Sequence, residues 1–169
     1  MNNCDLVLML PHSVVRYCYS MQIVNAGSKY IEIDGYACVL AYSQFQKNSG
    51  VDSLPFLLGE PNKSITGSTR NLGQKYLQKV ESTCLKENPN VALLDVSNPD
   101  YLPPFLKVDQ VTLVIDHHYG FEDFWKKRLG ENAVIESMGA AATLVFEQIE
   151  KSGGVSELNH DVLLLIYTA

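Results

Sequence analysis

Short apolar runs alternate along this chain with longer stretches of helical periodicity. Met21-Gln22-Ile23-Val24-Asn25-Ala26-Gly27 reads as an opening strand closed by a glycine turn. Tyr36 to Phe45 is apolar almost throughout and suits a largely buried helix ending before Asn48-Ser49-Gly50. Leu54 to Leu58 predicts a short strand, which Pro55 favours at a sheet edge because proline offers no N–H to a neighbour. A polar, glycine-punctuated loop from Gly59 to Ser68 precedes an amphipathic helix expected from about Thr69 to Lys86. Its inward positions would be Leu72, Tyr76, Leu77, Val80 and Leu85. Val91-Ala92-Leu93-Leu94, closed by Asp95, is the next buried strand. A loop bearing Pro99, Pro103 and Pro104 leads into Val111-Thr112-Leu113-Val114-Ile115. Then come a short helix over Phe121 to Leu129, a strand over Ala133 to Ile135, and a helix from Gly139 to Ile149 stopped by Gly153-Gly154. A last helix, Asp161 to Tyr167, would be capped by Asn159 or Ser156.

Strand and helix alternate throughout, which predicts a doubly wound, mostly parallel α/β sheet in three αβα layers, Rossmann-like, with right-handed crossovers. Residues 21–169 would form this domain. Residues 1–20 stand apart: Leu6 to Leu10 is apolar, but Pro11 interrupts it and no basic residue precedes it, so it makes a poor secretory signal. Three readings stay open for that segment: an appendage from an upstream start codon, an added edge strand, or a hydrophobic docking segment. Because Ala169 ends the chain inside an apolar helix without a capping signal, a fragment or truncated product is also expected.

Composition narrows the class. At 169 residues the chain is the size of one domain, and 46% hydrophobic with 19% charged residues fits a soluble globular protein. No apolar stretch is long enough to cross a bilayer. A net charge of −6 disfavours long nucleic acid, which usually meets a basic surface, yet permits a short nucleotide held through metal ions. Cys4, Cys18, Cys38 and Cys84 show no metal-ligand spacing and read as reduced structural thiols of a cytoplasmic protein.

The apolar run from Val111 ends in Asp116-His117-His118, followed by the turn Tyr119-Gly120. Ligands of open α/β sheets gather at the carboxyl ends of such strands. A carboxylate and two imidazoles there suit a divalent metal or a phosphate; the alternative is a polar strand end whose histidines cap a turn. Two further strand ends carry acids: Glu32 and Asp34 after the first strand, and Asp95 after the third. Glu32-Ile33-Asp34 would set two carboxylates on one side with Ile33 turned inward. Acids buried together repel unless cations neutralise them, and a pair of divalent ions can also activate water for phosphoryl transfer. Oxygen-rich ligation with one or two imidazoles suits Mn²⁺ or Mg²⁺ better than structural zinc.

Glu32-x-Asp34, Leu94-Asp95, Asp116-His117-His118 and the helix opening Gly139-Ala140-Ala141-Ala142-Thr143, taken together, resemble the DHH phosphoesterase superfamily. That group includes RecJ-like nucleases, manganese-dependent pyrophosphatases, exopolyphosphatases, and phosphodiesterases acting on oligoribonucleotides or cyclic dinucleotides. The resemblance covers Met21 to Ala169 and implies an N-terminal DHH catalytic domain that hydrolyses a phosphoester or phosphoanhydride with two Mn²⁺ or Mg²⁺ ions. It implies Glu32, Asp34 and His117 as metal ligands, with Asp95 bridging the ions. It further implies Asp116 as the acid that orients the site and His118 as the contact to the substrate phosphate. The expected substrate is a small phosphorylated molecule or short oligonucleotide, with no membrane partner and no stated oligomeric state.

Three departures from the family pattern matter. Glu32 stands for the usual leading aspartate, and Ser28 for the histidine of the pyrophosphatases. The fourth motif, an aspartate after Leu163-Leu164-Leu165-Ile166, would fall beyond Ala169, as would the C-terminal substrate-binding domain. These favour two alternatives: a non-catalytic regulatory or binding module, or a piece inactive without its missing part. Among other features, Gly59 to Thr66 has the composition of a phosphate loop without Walker spacing and reads as surface. Tyr17, Tyr19, Tyr30, Tyr36 and Tyr42 could stack bases but read mainly as core or groove lining. His12, His160 and Lys126-Lys127-Arg128 read as solvated surface.

Overall fold

Strand residues alternate between two apolar clusters, and that alternation sets the layers. Ile23, Val91, Leu93 and Val114 belong to one cluster, while Val24, Ala92, Leu94 and Ile115 belong to the other. A sheet buried on both faces needs apolar side chains at every position, hence the unbroken runs seen in the sequence. The structure, a computed structural model, describes residues 21–77 and 89–169.

The elements are β1 (Gln22–Asn25), β2 (Tyr30–Ile31), α1 (Ile33–Asn48), β3 (Ser53–Phe56), β4 (Glu60–Pro61), α2 (Gly67–Gln74), β5 (Asn90–Leu94), β6 (Val111–Asp116), α3 (Glu122–Leu129), β7 (Ala133–Ile135), α4 (Ala141–Lys151) and α5 (His160–Thr168). The main sheet has five parallel strands in the order β3-β1-β5-β6-β7. One face packs against α1 and α4, the other against α3 through the fully buried Trp125. The expected three-layer, parallel α/β architecture is therefore present. Pro55 lies in β3 at the sheet edge, as its missing N–H requires. From Asp34 to Ser43, α1 is buried without interruption because the sheet, α4 and α5 enclose it. No described helix is long and apolar enough to cross a membrane.

Strand order reverses at β1, whose neighbours are β3 on one side and β5 on the other. Chains leaving adjacent strands in opposite directions open a crevice at their carboxyl ends, the usual ligand position in this architecture. Here the crevice lies beyond Asn25 and Leu94. Asn25 shapes its lip: its Nδ2 donates to the Phe56 carbonyl at 2.9 Å and its Oδ1 accepts from the Gly27 N–H at 2.7 Å. Gly27 has φ +83°, a conformation that glycine adopts without steric cost.

Four expectations need correction. The helix expected over Thr69–Lys86 begins at Gly67, with the Thr66 hydroxyl capping the Thr69 N–H, and ends at Gln74. Beyond Gln74 the chain tightens into i→i+3 bonds, Tyr76 to Gly73 and Leu77 to Gln74. Leu72, Tyr76 and Leu77 still pack against the cluster containing Tyr36 and Leu40, so helical periodicity outlasts the helix. Val80 and Leu85 lie outside the described residues. The loop after Gly59 contains β4, which pairs with β2 in a small parallel ladder. Finally, Glu32 and Asp34 do not share a strand face. Glu32 is the N-cap residue of α1 and Asp34 sits in its first turn, so their side chains diverge. Asn159 does precede α5, but its side chain makes no capping bond.

Of the remaining expectations, Tyr36 and Tyr42 are buried while Tyr30 is exposed, and Lys126, Lys127, Arg128 and His160 are solvated. Cys38 is a buried free thiol. Cys4, Cys18, Cys84, His12, Tyr17 and Tyr19 lie outside the described residues.

Candidate metal centre

Five side chains from α1 and from the carboxyl ends of β5 and β6 meet at the switch point. Asp34 comes from the first turn of α1, Asp95 from the end of β5, Asp116 from the last position of β6, and His117 and His118 from the two positions after it. Each is placed by an element whose apolar residues leave little freedom. Asp95 also takes φ +60°, a left-handed conformation that few residues other than glycine, asparagine and aspartate enter. That turn brings its carboxylate beside Gly35, where a Cβ would stand 3.1 Å from Asp95 Oδ2. Glycine at 35 thus permits the approach of β5 to α1.

Asp34 reaches across to α4. Its Oδ2 accepts from the Ala141 N–H at 2.8 Å and its Oδ1 from the Ala142 N–H at 2.7 Å. The N-cap residue Ala140 has no side chain able to cap, so Asp34 satisfies two orphan amides and places its charge at the positive end of α4. The small residues Ala140, Ala141 and Ala142 leave room for it. Cys38 Sγ lies 3.5 Å from Asp34 Oδ1, and burial, then the charge of Asp34, pushes that thiol well above its usual range. Cys38 is therefore a protonated donor to the acid.

Asp116 has no exposed surface and orients both histidines. Its Oδ1 accepts from the backbone N–H of His117 at 2.8 Å and of His118 at 3.2 Å, and lies 2.8 Å from His118 Nδ1. This arrangement turns the His118 ring, 60% exposed, toward the cleft. His117 is more constrained. Its Nδ1 lies 3.1 Å from the Met138 carbonyl, which can only accept, so Nδ1 carries the hydrogen. Its Nε2 then faces Asp95 Oδ1 at 3.3 Å and Asp34 Oδ2 at 3.6 Å. Lone pairs thus converge on one point.

The electrostatics of Asp95 reflect this convergence. Its side chain is 10% exposed, and Oδ1 is buried without a hydrogen-bond donor among the described residues, as is Asp116 Oδ2. Burial foremost, then the charges of Asp34, Asp116 and Glu32, raise its pKa from 3.8 to about 8, against the opposing Gly35 N–H. Ligand atoms of Asp95, His117 and His118 lie within 4.8 Å of one another, close enough to share a cation. His118 would have to release Asp116 to use Nδ1 in this way.

Of the residues named from sequence, the structure brings Asp34, Asp95, Asp116, His117 and His118 together. Glu32 stands at the rim: its Oε1 accepts from Asn62 Nδ2 at 2.8 Å, and it lines the cleft. Ser28 also lines the cleft, its hydroxyl donating to the Leu102 carbonyl at 3.5 Å. Sequence reasoning missed the partners. Asn62 Oδ1 accepts from the backbone and hydroxyl of Ser64, whose Oγ in turn accepts the Ile33 N–H at 2.8 Å. Ser64 thus caps α1 from another segment and leaves Glu32 free of that duty. Their positions in a polar loop gave no signal of it. Lys29 and Tyr101 also line the cleft, which encloses about 280 Å³.

No protein-family model matches the chain, and no curated protein does. Among solved structures, it is similar to an exopolyphosphatase-related protein from Bacteroides fragilis, with a TM-score of 0.58 and 16% identity. The likeness covers 89% of this chain and 45% of that one, so the chain spans less than half the length of that protein. At this identity the likeness is one of fold: a parallel α/β sheet flanked by helices.

Proposed function

We propose that residues 21–169 form a metal-dependent phosphohydrolase domain of DHH type, acting on a phosphoester or phosphoanhydride. One observation carries this reading. His117 Nε2, with its hydrogen committed to the other ring nitrogen, faces two carboxylates. Acceptors aimed at acceptors repel unless a proton or a cation lies between them, and a divalent ion would replace the proton that Asp95 holds in the metal-free chain while neutralising Asp34 as well. The unpartnered Oδ1 of Asp95 fits the same ion. The name of the Bacteroides fragilis neighbour agrees with a phosphate-releasing activity, and the oxygen-rich donor set suits Mn²⁺ or Mg²⁺.

In this reading Asp34, Asp95, His117 and Glu32 would hold the divalent ions. Bound divalent ions would supply charge neutralisation and the activation of water for attack on phosphorus. The chain's own groups do the rest. The Met138 carbonyl fixes the His117 ring and Asp116 fixes His118. As an imidazolium held by Asp116 through Nδ1–H, His118 would donate its Nε2–H to a phosphate oxygen and stabilise the charge that grows there as the bond breaks. The substrate class is a small phosphorylated molecule or short oligonucleotide.

Calorimetry with Mn²⁺ and a Mn²⁺-stimulated assay over pyrophosphate, short polyphosphate, dinucleotides and aryl phosphodiesters test the reading together. His117→Ala is expected to lower Mn²⁺ affinity at least tenfold while leaving the circular dichroism spectrum unchanged. Unchanged affinity in that variant would remove His117 from the ligand set. Metal binding without turnover of any of these compounds would favour a non-catalytic module, a reading to which the Glu32–Asn62 bond gives some support.

A further inference from the structure

The cleft carries a second set of groups that metal binding leaves unused. Lys29, in the turn between β1 and β2, holds its ammonium 3.9 Å from the centroid of the Tyr101 ring. Among the described residues it is the only lysine or arginine lining the cleft, and none of the ion pairs formed among them includes it. On the same walls Tyr30 is 57% and Tyr119 75% exposed, with Phe121 half-buried beside them. Large rings usually bury most of their surface, so two open tyrosines within one cleft require an explanation.

We propose that this wall selects an organic phosphate bearing a planar aromatic group, of the nucleoside monophosphate type. Lys29 takes anionic oxygens and the open tyrosine rings take the base. The inference rests on the preceding reading only in placing the reacting phosphate beside Asp95 and His118. A cation held over a ring keeps its position without losing its charge, because the ring face neutralises nothing and the ammonium has three donors. Lys29 is therefore a positioned anion anchor. An inorganic phosphate chain carries roughly one charge per unit and needs a row of cations to follow it. This cleft offers a single ammonium together with the acids Glu32 and Asp95. Exposed rings, by contrast, are worth about 1–3 kcal/mol per stacked base. The groups present thus reward an aromatic base and do little for additional phosphates.

Titration of the full chain by tyrosine fluorescence and NMR, with Mn²⁺ in excess over the ligand, would compare adenosine monophosphate, ribose 5-phosphate and tripolyphosphate. Adenosine monophosphate is expected to bind at least about fivefold more tightly than ribose 5-phosphate, the factor that corresponds to the lower end of the stacking range. Tripolyphosphate should gain nothing over ribose 5-phosphate. Lys29→Met should weaken both monophosphates by a similar factor. Tyr30→Leu with Tyr119→Leu should abolish the advantage of the base and leave ribose 5-phosphate unaffected. A Mn²⁺ titration of each variant, expected unchanged, reports that the metal centre is intact. Equal binding of the two monophosphates overturns the inference, as does tightest binding of tripolyphosphate. With Mn²⁺ bound normally, either result leaves the hydrolase reading standing. If the expected ranking holds while Mn²⁺ fails to bind, the inference stands and the hydrolase reading falls.

Discussion

Asp95 offers a test of the centre that needs no substrate. In the metal-free protein its carboxyl keeps its proton to about pH 8, whereas in the unfolded chain it ionises near 3.8. Between those values the folded state holds a proton that the unfolded state has released, so stability falls as pH rises, and it levels above the folded value. About 4 pH units at ~1.4 kcal/mol each give a ceiling of roughly 6 kcal/mol, which ions in the buffer will reduce. Asp95→Asn removes the charge and suits the left-handed backbone at φ +60°, because asparagine tolerates that region. Urea unfolding in EDTA from pH 5 to 9 is the assay. The wild type should lose several kcal/mol between pH 5 and 8, and the variant should lose much less, becoming the more stable protein at pH 8. Saturating Mn²⁺ should then restore the wild type, by about 2.7 kcal/mol at one hundred times Kd, and leave the variant unchanged. A wild type whose metal-free stability holds level or rises from pH 5 to 8 would refute the reasoning, since the acids would then not be crowding one another.

Other perturbations act on single contacts. Asp34→Ala strands the Ala141 and Ala142 amides at the start of α4 and should cost about 3 kcal/mol in urea unfolding, whereas Asp34→Asn, keeping one acceptor, should cost less. Gly35→Ala would place a Cβ 2.9 Å from that of Ala26 and 3.1 Å from Asp95 Oδ2. It should destabilise by about 1–3 kcal/mol through overpacking and weaken Mn²⁺ binding in calorimetry. Ser64→Ala removes the hydroxyl that caps α1 and should cost about 1 kcal/mol by the same unfolding measurement.

The strands could be read from sequence because a sheet covered on both faces demands unbroken apolar runs, and β5 and β6 supply them. Asp95 and Asp116 were legible for the same reason, as the first polar residues where such runs stop. Asp34 was found but its setting was misread. Tyr30-Ile31-Glu32-Ile33-Asp34 alternates polar and apolar like a strand, yet only Tyr30 and Ile31 extend before α1 begins. The deciding partner, Ser64, lies in a separate loop and leaves no local trace. The helix expected from Thr69 is interrupted after Gln74 by a related route. Leu72, Tyr76 and Leu77 keep facing α1 through i→i+3 turns, so burial repeated where the α-helix did not. Lys29 escaped notice because the ring that holds it belongs to a distant segment.

The left-handed backbone at Asp95 restricts more than its angle. Sterics at that point admit glycine, asparagine and aspartate with little penalty, while cation ligation calls for an ionisable or imidazole donor. Among the carboxylates aspartate alone satisfies both demands, so saturation mutagenesis at this position should return two separable phenotypes. Asparagine and glycine would yield well-folded chains that ignore metal. Glutamate, though chemically apt, would show a folding defect first.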